Sequence, residues 1–290
     1  MEHDIKVDLR SIKLFAGDWL KVALVGCGAI GSVLARAMAE HRVEAELVSV
    51  FDLSREKAAK LASLFEKRPE VASSLKEVLS SNAELVIEAA SVGAARELLI
   101  PALSSGKDVL LLSVGALANV EFLRQVESTA KEHRRKVHIP SGAAGALDAL
   151  KSAREAELEE VKLVTTKPPR ALEGAPYLAR RGISLAKLKE RKVVFSGSAL
   201  EAIAGFPANV NVAVAVSLAG VGVERTRVEI VADPQAKRNV HEVFARGDFG
   251  ELYFRVKNLP SPENPKTSYL AALSAIATLR RLSAPLQVGT

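Results

Sequence analysis

The feature that most constrains this chain is a short run near its start, Lys21-Val-Ala-Leu-Val25-Gly26-Cys27-Gly28-Ala29-Ile30-Gly31. Its G-x-G-x-x-G spacing falls between an apolar tetrad that reads as a strand, Val22–Val25, and an Ala/Leu-rich stretch, Ala29–Glu40, that reads as a helix. In that position each glycine has a separate job. Gly26 permits the tight turn, Gly28 lets backbone approach a pyrophosphate, and Gly31 allows helix to pack close on strand. The exposed N–H groups at the helix start, at Ala29 and Ile30, are then phosphate donors. A second strand, Glu46–Phe51, ends at Asp52, an acid placed to accept hydrogen bonds from the adenosine ribose and to repel a 2′-phosphate. The expected cofactor is therefore NAD. Arg55 lies three residues on and could stack on adenine or meet a 2′-phosphate, so NADP stays open; it reads equally as a surface helix residue. Cys27 reads as a small filler.

From Leu20 short apolar runs alternate with helical stretches. Strands are expected at Leu85–Ala89, Asp108–Ser113 and Val137–Ile139, and helices at Glu56–Glu66, Gly93–Ser104 and Val120–His133. That alternation implies a parallel sheet built from βαβ units. The strand ends at Glu88–Gly93 and Ser113–Leu117 lie on the edge where open α/β sheets bind ligands. After Pro140 the pattern changes. Lys162–Thr166, Val193–Ser196 and Thr226–Val231 read as strands, Lys167–Arg191 as a long loop with one short helix, and an Ala/Val helix follows Pro207. Val240–Arg246 and Glu251–Lys257 read as a hairpin. A final helix is expected from Pro265, with Asn264 as N-cap and proline at the first helical position. The reading is α/β: an extension (1–19), a Rossmann domain (20–139) completed by the C-terminal helix (264–290), and a mixed-sheet catalytic and dimerisation domain (140–263).

Composition excludes several classes. Of 290 residues, 40 are Lys or Arg and 34 are Asp or Glu, and 48% are hydrophobic, which is the balance of a folded globular protein. The basic excess is scattered, and aromatics at 4% supply few stacking platforms, so nucleic-acid binding is not expected. One cysteine allows no disulfide framework. No signal peptide or membrane span is read, and the expected location is the cytoplasm. There is no His-Glu-x-x-His, cysteine cluster or acid triad, so no metal site is expected, and no G-x-S-x-G nucleophile turn occurs.

Four segments of the second half look unlike generic packing: Pro140-Ser-Gly-Ala-Ala-Gly-Ala-Leu-Asp148, Gly205-Phe-Pro-Ala-Asn209-Val-Asn211-Val-Ala213, Ala232-Asp233-Pro234 with Asn239-Val-His241-Glu242, and Asn264-Pro-Lys-Thr-Ser268. Together with the glycine fingerprint they resemble the L-aspartate dehydrogenase family, from about Leu20 to the final helix. The resemblance implies a homodimer that deaminates L-aspartate oxidatively to iminoaspartate or oxaloacetate, feeding NAD biosynthesis. It implies that Ala143 or Ala144 and Asn209 or Asn211 touch the nicotinamide end, and that His241 is catalytic. The residues add to this. One asparagine of the pair could cap its helix while the other bonds the nicotinamide carboxamide or a substrate carboxylate. Lys266 is a candidate for the substrate's charge, or an exposed first-turn residue.

His241 suits proton exchange near neutrality, with Glu242 or Asp233 as a possible orienting carboxylate. His138, inside a strand, is its only rival. Two other readings compete: a related reductase of homoserine or dihydrodipicolinate type, and a non-catalytic dinucleotide-sensing protein that needs the glycines without His241.

Overall fold

The structure, a computed structural model, describes residues 19–207, 210–261 and 264–289. The expected extension, apart from Trp19, lies outside the described residues. The first half runs β1 (Leu20–Val25), α1 (Ala29–Ala39), β2 (Ala45–Phe51), α2 (Arg55–Ala62), β3 (Glu70–Val71), α3 (Leu75–Ser80) and β4 (Leu85–Glu88). It continues with α4 (Val92–Ser104), β5 (Asp108–Leu111), a 3-10 turn at Val114–Ala118, α5 (Val120–Glu132) and β6 (Val137–His138). All six strands are parallel, in the order β3-β2-β1-β4-β5-β6. Helices cover both faces, which is why the central strands read as apolar runs without alternation; every residue of β4 is buried. Strand order reverses between β1 and β4, opening a crevice at their carboxyl ends.

The second half has α6 (Leu147–Ala153), β7 (Leu158–Lys167), a 3-10 turn at Pro169–Ala171, α7 (Pro176–Arg180), β8 (Lys192–Ser198), α8 (Ala199–Gly205) and α9 (Val210–Ala219). Then come β9 (Arg227–Ala232), β10 (Asn239–Gly247) and β11 (Gly250–Asn258). These strands form a mixed sheet, β11-β10-β7-β9-β8, in which only β7 and β9 run parallel. The hairpin closes by pairing Gly247 with Gly250. Helices α6 and α8 lie where the sequence reading placed none, and α2 ends at Ala62, short of the expected Glu66.

The start of the last helix is a correction. Residues expected in its first turn form a strand, β13 (Asn264–Ser268), paired with β12 (Pro260–Ser261), and α10 spans Tyr269–Ser283 with Ser268 as N-cap. An Asn-Pro pair favours extended backbone before the proline as much as it favours a helix start. Pairing with β12 decides between them, and the Tyr269 N–H closes the step by donating to Leu259 O at 2.9 Å. Helix α10 then returns to the first sheet: Ala272, Ala275, Ile276 and Leu279 share a core with Leu34 and Met38 of α1.

Candidate active site

Helix α1 begins differently from its neighbours. Helices α2, α3, α4 and α5 are each capped by a side chain, Ser54, Ser74, Ser91 and Asn119 respectively, which accepts from a first-turn N–H. At α1 the N-cap is Gly28 and no side chain caps it. Its first-turn N–H groups, including those of Ala29 and Ile30, are available to an anion at the positive end of the helix dipole. A Cβ on Gly28 would meet nothing within 4 Å, so the space in front of the helix is open. The flanking glycines are closed in. Gly26 sits at φ +101 against the Ala89 carbonyl, and a Cβ on Gly31 would come 2.0 Å from Gly26 O.

Asp52 completes this cradle. Its Oδ2 accepts from Cys27 N and its Oδ1 from Ser54 N, both at 2.8 Å. Each oxygen keeps lone-pair capacity for a ribose hydroxyl. These residues fit a dinucleotide. Arg55 is exposed at the start of α2. The Cys27 thiol is pushed up to about 12, first by burial and then by Asp52, so it stays protonated and unreactive, in keeping with a filler.

Between β4 and β5 the crevice floor is fixed by a residue the sequence reading missed. Glu88 is fully buried. Its Oε1 accepts from Ala90 N, Ser91 N and Ser113 Oγ, and its Oε2 from Ser113 N, at 2.8–3.0 Å. One carboxylate thus ties two strand-end turns together. Burial raises its pKa while those four bonds oppose the rise. The available signal was an acid closing an otherwise apolar strand.

The crevice continues into a cavity of about 240 Å³. Ile30 of α1 and Val114 of the 3-10 turn after β5 line it on one side, Gly142 and Ala143 from the loop before α6, and Lys167, Asn239 and His241 from the second sheet. Ala143 is held there by Asn258, whose Nδ2 donates to its carbonyl at 2.9 Å, whereas Ala144 turns into the second core. Asn211 also lines the cavity, and its carbonyl is engaged: Oδ1 accepts from Gly115 N, a first-turn donor of the 3-10 turn after β5, at 2.9 Å, tying α9 to that turn. What Asn211 offers a ligand is its amide N–H. Asn209 lies outside the described residues, as does the side chain of Lys266. A larger groove, about 520 Å³ between α6, α9 and α10, includes neither the fingerprint nor His241.

His241 is buried and faces Thr165 across the β10–β7 pair, with Nδ1 3.0 Å from Thr165 Oγ1. Two expectations are corrected here. Among the described residues no carboxylate bonds the ring: adjacent strand residues face opposite ways, and Glu242 points to the other face. There it accepts from Tyr253 Oη at 2.7 Å and meets Arg255 at 3.4 Å. Asp233 accepts from Gln235 N within a turn. Nor does the unbound imidazole titrate near neutrality. Burial first, and the charge of Lys167 second, push it down to about 3, so it stands neutral. The rival His138 lies on β6, 3.8 Å from Asp108, and does not line the cavity.

Thr165, Asn239 and Lys167 went unassigned as site residues in the sequence. The signal for Lys167 was period-2 alternation with Leu163 and Thr165, obscured by the Pro168-Pro169 pair that follows. Among the described residues no cluster of His, Cys, Asp or Glu could hold a metal, and no helix is long and apolar enough to cross a membrane.

Two family models match the chain in tandem: homoserine dehydrogenase, NAD binding domain, over residues 26–140, and aspartate dehydrogenase, C-terminal, over 148–282. An L-aspartate dehydrogenase of Methanosarcina acetivorans is 49% identical over 93% of this chain and 100% of its own length. The chain belongs to the aspartate dehydrogenase family. Membership extends to more distant sources, since the L-aspartate dehydrogenase of Nitrosopumilus maritimus is 38% identical over 93% of the chain and 99% of its own length. The crystal structure of aspartate dehydrogenase from Thermotoga maritima superposes with a TM-score of 0.72, at 28% identity and over 93% of this chain and 99% of that one. The C-terminal family model runs into α10, so the family's second segment includes a helix that packs on the first sheet. As a member of this family the chain is an NAD(P)-dependent oxidoreductase.

Proposed function

We propose that this chain oxidises L-aspartate to iminoaspartate, which water converts to oxaloacetate and ammonia. The observation that carries the reading is the shared cavity: Ile30 of the dinucleotide fingerprint forms one wall, and His241 with Lys167 forms another. A nicotinamide bound there supplies the acceptor for two electrons and a hydrogen from the substrate Cα. The chain's own residues handle protons and position. An amine must be neutral before its carbon is oxidised, so the substrate reacts as the free amine, which the neutral imidazole of His241 holds and orients by hydrogen bonding. Thr165 fixes the ring through Nδ1, which directs Nε2 toward the substrate. The same imidazole then serves the water that adds to the imine. Gly142 and Ala143 provide backbone contacts at the nicotinamide end, and the Asn211 amide faces the carboxamide or the α-carboxylate.

The reading includes NAD in preference to NADP, on the strength of Asp52 beside the cradle. It places the protein in the cytoplasm, with its product feeding NAD biosynthesis. It divides the chain into 20–139 completed by 264–290, and 140–263, supported by the packing of α10 on α1. It also takes the protein as a homodimer joined through the second sheet, where the Phe244 and Tyr253 rings stack at 4.6 Å on a solvent-facing surface. Light scattering of the intact chain tests the dimer. The reaction is tested by following reduced nicotinamide absorbance with a panel of amino acids. Turnover with L-aspartate is the expected result. Turnover with homoserine instead would favour a homoserine-type reductase, and binding of NAD without any turnover a sensor.

A further inference from the structure

Along the cavity-facing side of β7 and β10 the residues change character step by step. Leu163 and Val243 pair inside the core, and Thr165 and His241 pair at its edge. One step further, Lys167 and Asn239 reach the cavity. The side chain of Lys167 has no hydrogen-bond or ion-pair partner among the described residues. Lys167 is partly buried, and the buried lysine among the described residues, Lys107, is treated differently. Lys107 donates through Nζ to Ser81 O and Ala83 O, both at 2.7 Å. An ammonium withdrawn from water calls for such acceptors. At Lys167 the described residues supply none, and the group lines the space where substrate is proposed to sit.

Resting on the proposed L-aspartate reading, we propose that Lys167 is the specificity-determining residue that receives the substrate's side-chain carboxylate. Positions i and i+2 on one strand face stand about 6.7 Å apart. Lys167 is one such step from Thr165, which pairs with His241. With His241 at the amine, Lys167 meets the far end of a four-carbon amino acid. The α-carboxylate, bonded to the reacting carbon, stays near His241 and the Asn211 amide. Burial holds the empty-site amine down to about 8, with no neighbouring charge contributing. His241 is the only other titratable side chain lining the cavity among the described residues, and it is neutral throughout this range. A bound carboxylate favours the ammonium, so binding at a pH of about 8 to 9 takes up protons.

Succinate is the probe, titrated calorimetrically into NAD-saturated protein in two buffers of different ionisation enthalpy. The expected result is binding with proton uptake, weakening as pH rises above about 8. Truncating one member of a buried charge pair is costly, so Lys167→Met should weaken succinate by about 30-fold or more, abolish the uptake, and raise the KM for L-aspartate on the same scale. Lys167→Arg should restore most of the affinity, and Lys167→Gln replaces Lys167→Met if the latter is recovered unfolded. Unchanged succinate affinity in these neutral variants would overturn the proposal. So would a collapse of kcat at constant KM, which would make Lys167 a proton-transfer group. Wild-type protein that binds succinate but does not oxidise L-aspartate would overturn the reaction, while the succinate comparison would still judge Lys167.

Discussion

The two ends of the ligand crevice are built on opposite plans. At α1 the binding surface is backbone: an uncapped helix start, an open Gly28 and two glycines squeezed against their neighbours. At the second sheet it is side chain. His241 and its partner Thr165 are 76 residues apart in sequence and meet only because β7 and β10 pair. The contrast separates two tasks. A phosphate needs donors at fixed positions, which a turn of few residues supplies. Proton transfer needs a group whose charge state is set by its surroundings, and those surroundings come from distant parts of the chain.

The largest expected effect tests the side-chain end. His241→Ala should lower kcat by about 10²–10⁴-fold while NAD titrations stay near wild type. A variant that keeps half its activity would return the role to His138 and erase the contrast. The same burial predicts a pH signature. The native imidazole holds its neutral form down to about 3 from an ordinary 6.5. Between those values the unfolded chain therefore binds one more proton at this position than the native protein does. The associated stability is present above about pH 6.5 and is lost as pH falls toward 3. Urea unfolding across that window should show the extra slope in wild type and lack it in His241→Gln.

The backbone end responds to smaller insults. Gly31→Ala forces a methyl against Gly26 O, an overpacking that should cost roughly 1–3 kcal/mol in denaturant unfolding. Gly28→Ala, at φ −75 in open space, should leave stability alone and weaken NAD. Loss of stability at both positions would mean that the cradle is packing rather than a binding surface. The smallest effect is expected at Asp52→Ser, which should shift the NAD-to-NADP affinity ratio by about tenfold, close to 1.4 kcal/mol. Higher wild-type affinity for NADP would remove Asp52 from its assigned role.

The same division explains what could be read from the sequence. The cradle, the parallel sheet and the hairpin depend on nearby residues, so Gly26, Gly28, Gly31 and Asp52 were found together. At the far end the sequence points to Ala143, Asn211 and His241, which line the cavity, but not to the Thr165 and Lys167 that β7 sets beside His241. Glu242 and Asp233 lie close to it in sequence, but alternation along the strand, itself readable from the sequence, turns Glu242 away, and Asp233 bonds within its own turn. Lys167 was assigned to a loop because two prolines follow it, yet β7 extends through it. The depressed titration of His241 has no local signature, since it arises from burial by two strands and a neighbouring amine. The Asn264-Pro265 pair misled for a related reason: its extended backbone met a partner strand.

Helix α10 has a mechanical consequence. Because it returns to pack on α1, the segment bearing the second sheet is joined to the first body twice, once after β6 and again through β13. A lobe held at one joint can swivel in any direction, whereas one held at two can only fold about the line through them. Here the two crossings are reinforced, because Val210, Val214 and Ala215 of α9 pack in the first sheet's core and Asn211 Oδ1 accepts from Gly115 N, so side chains as well as chain crossings hold the crevice walls together.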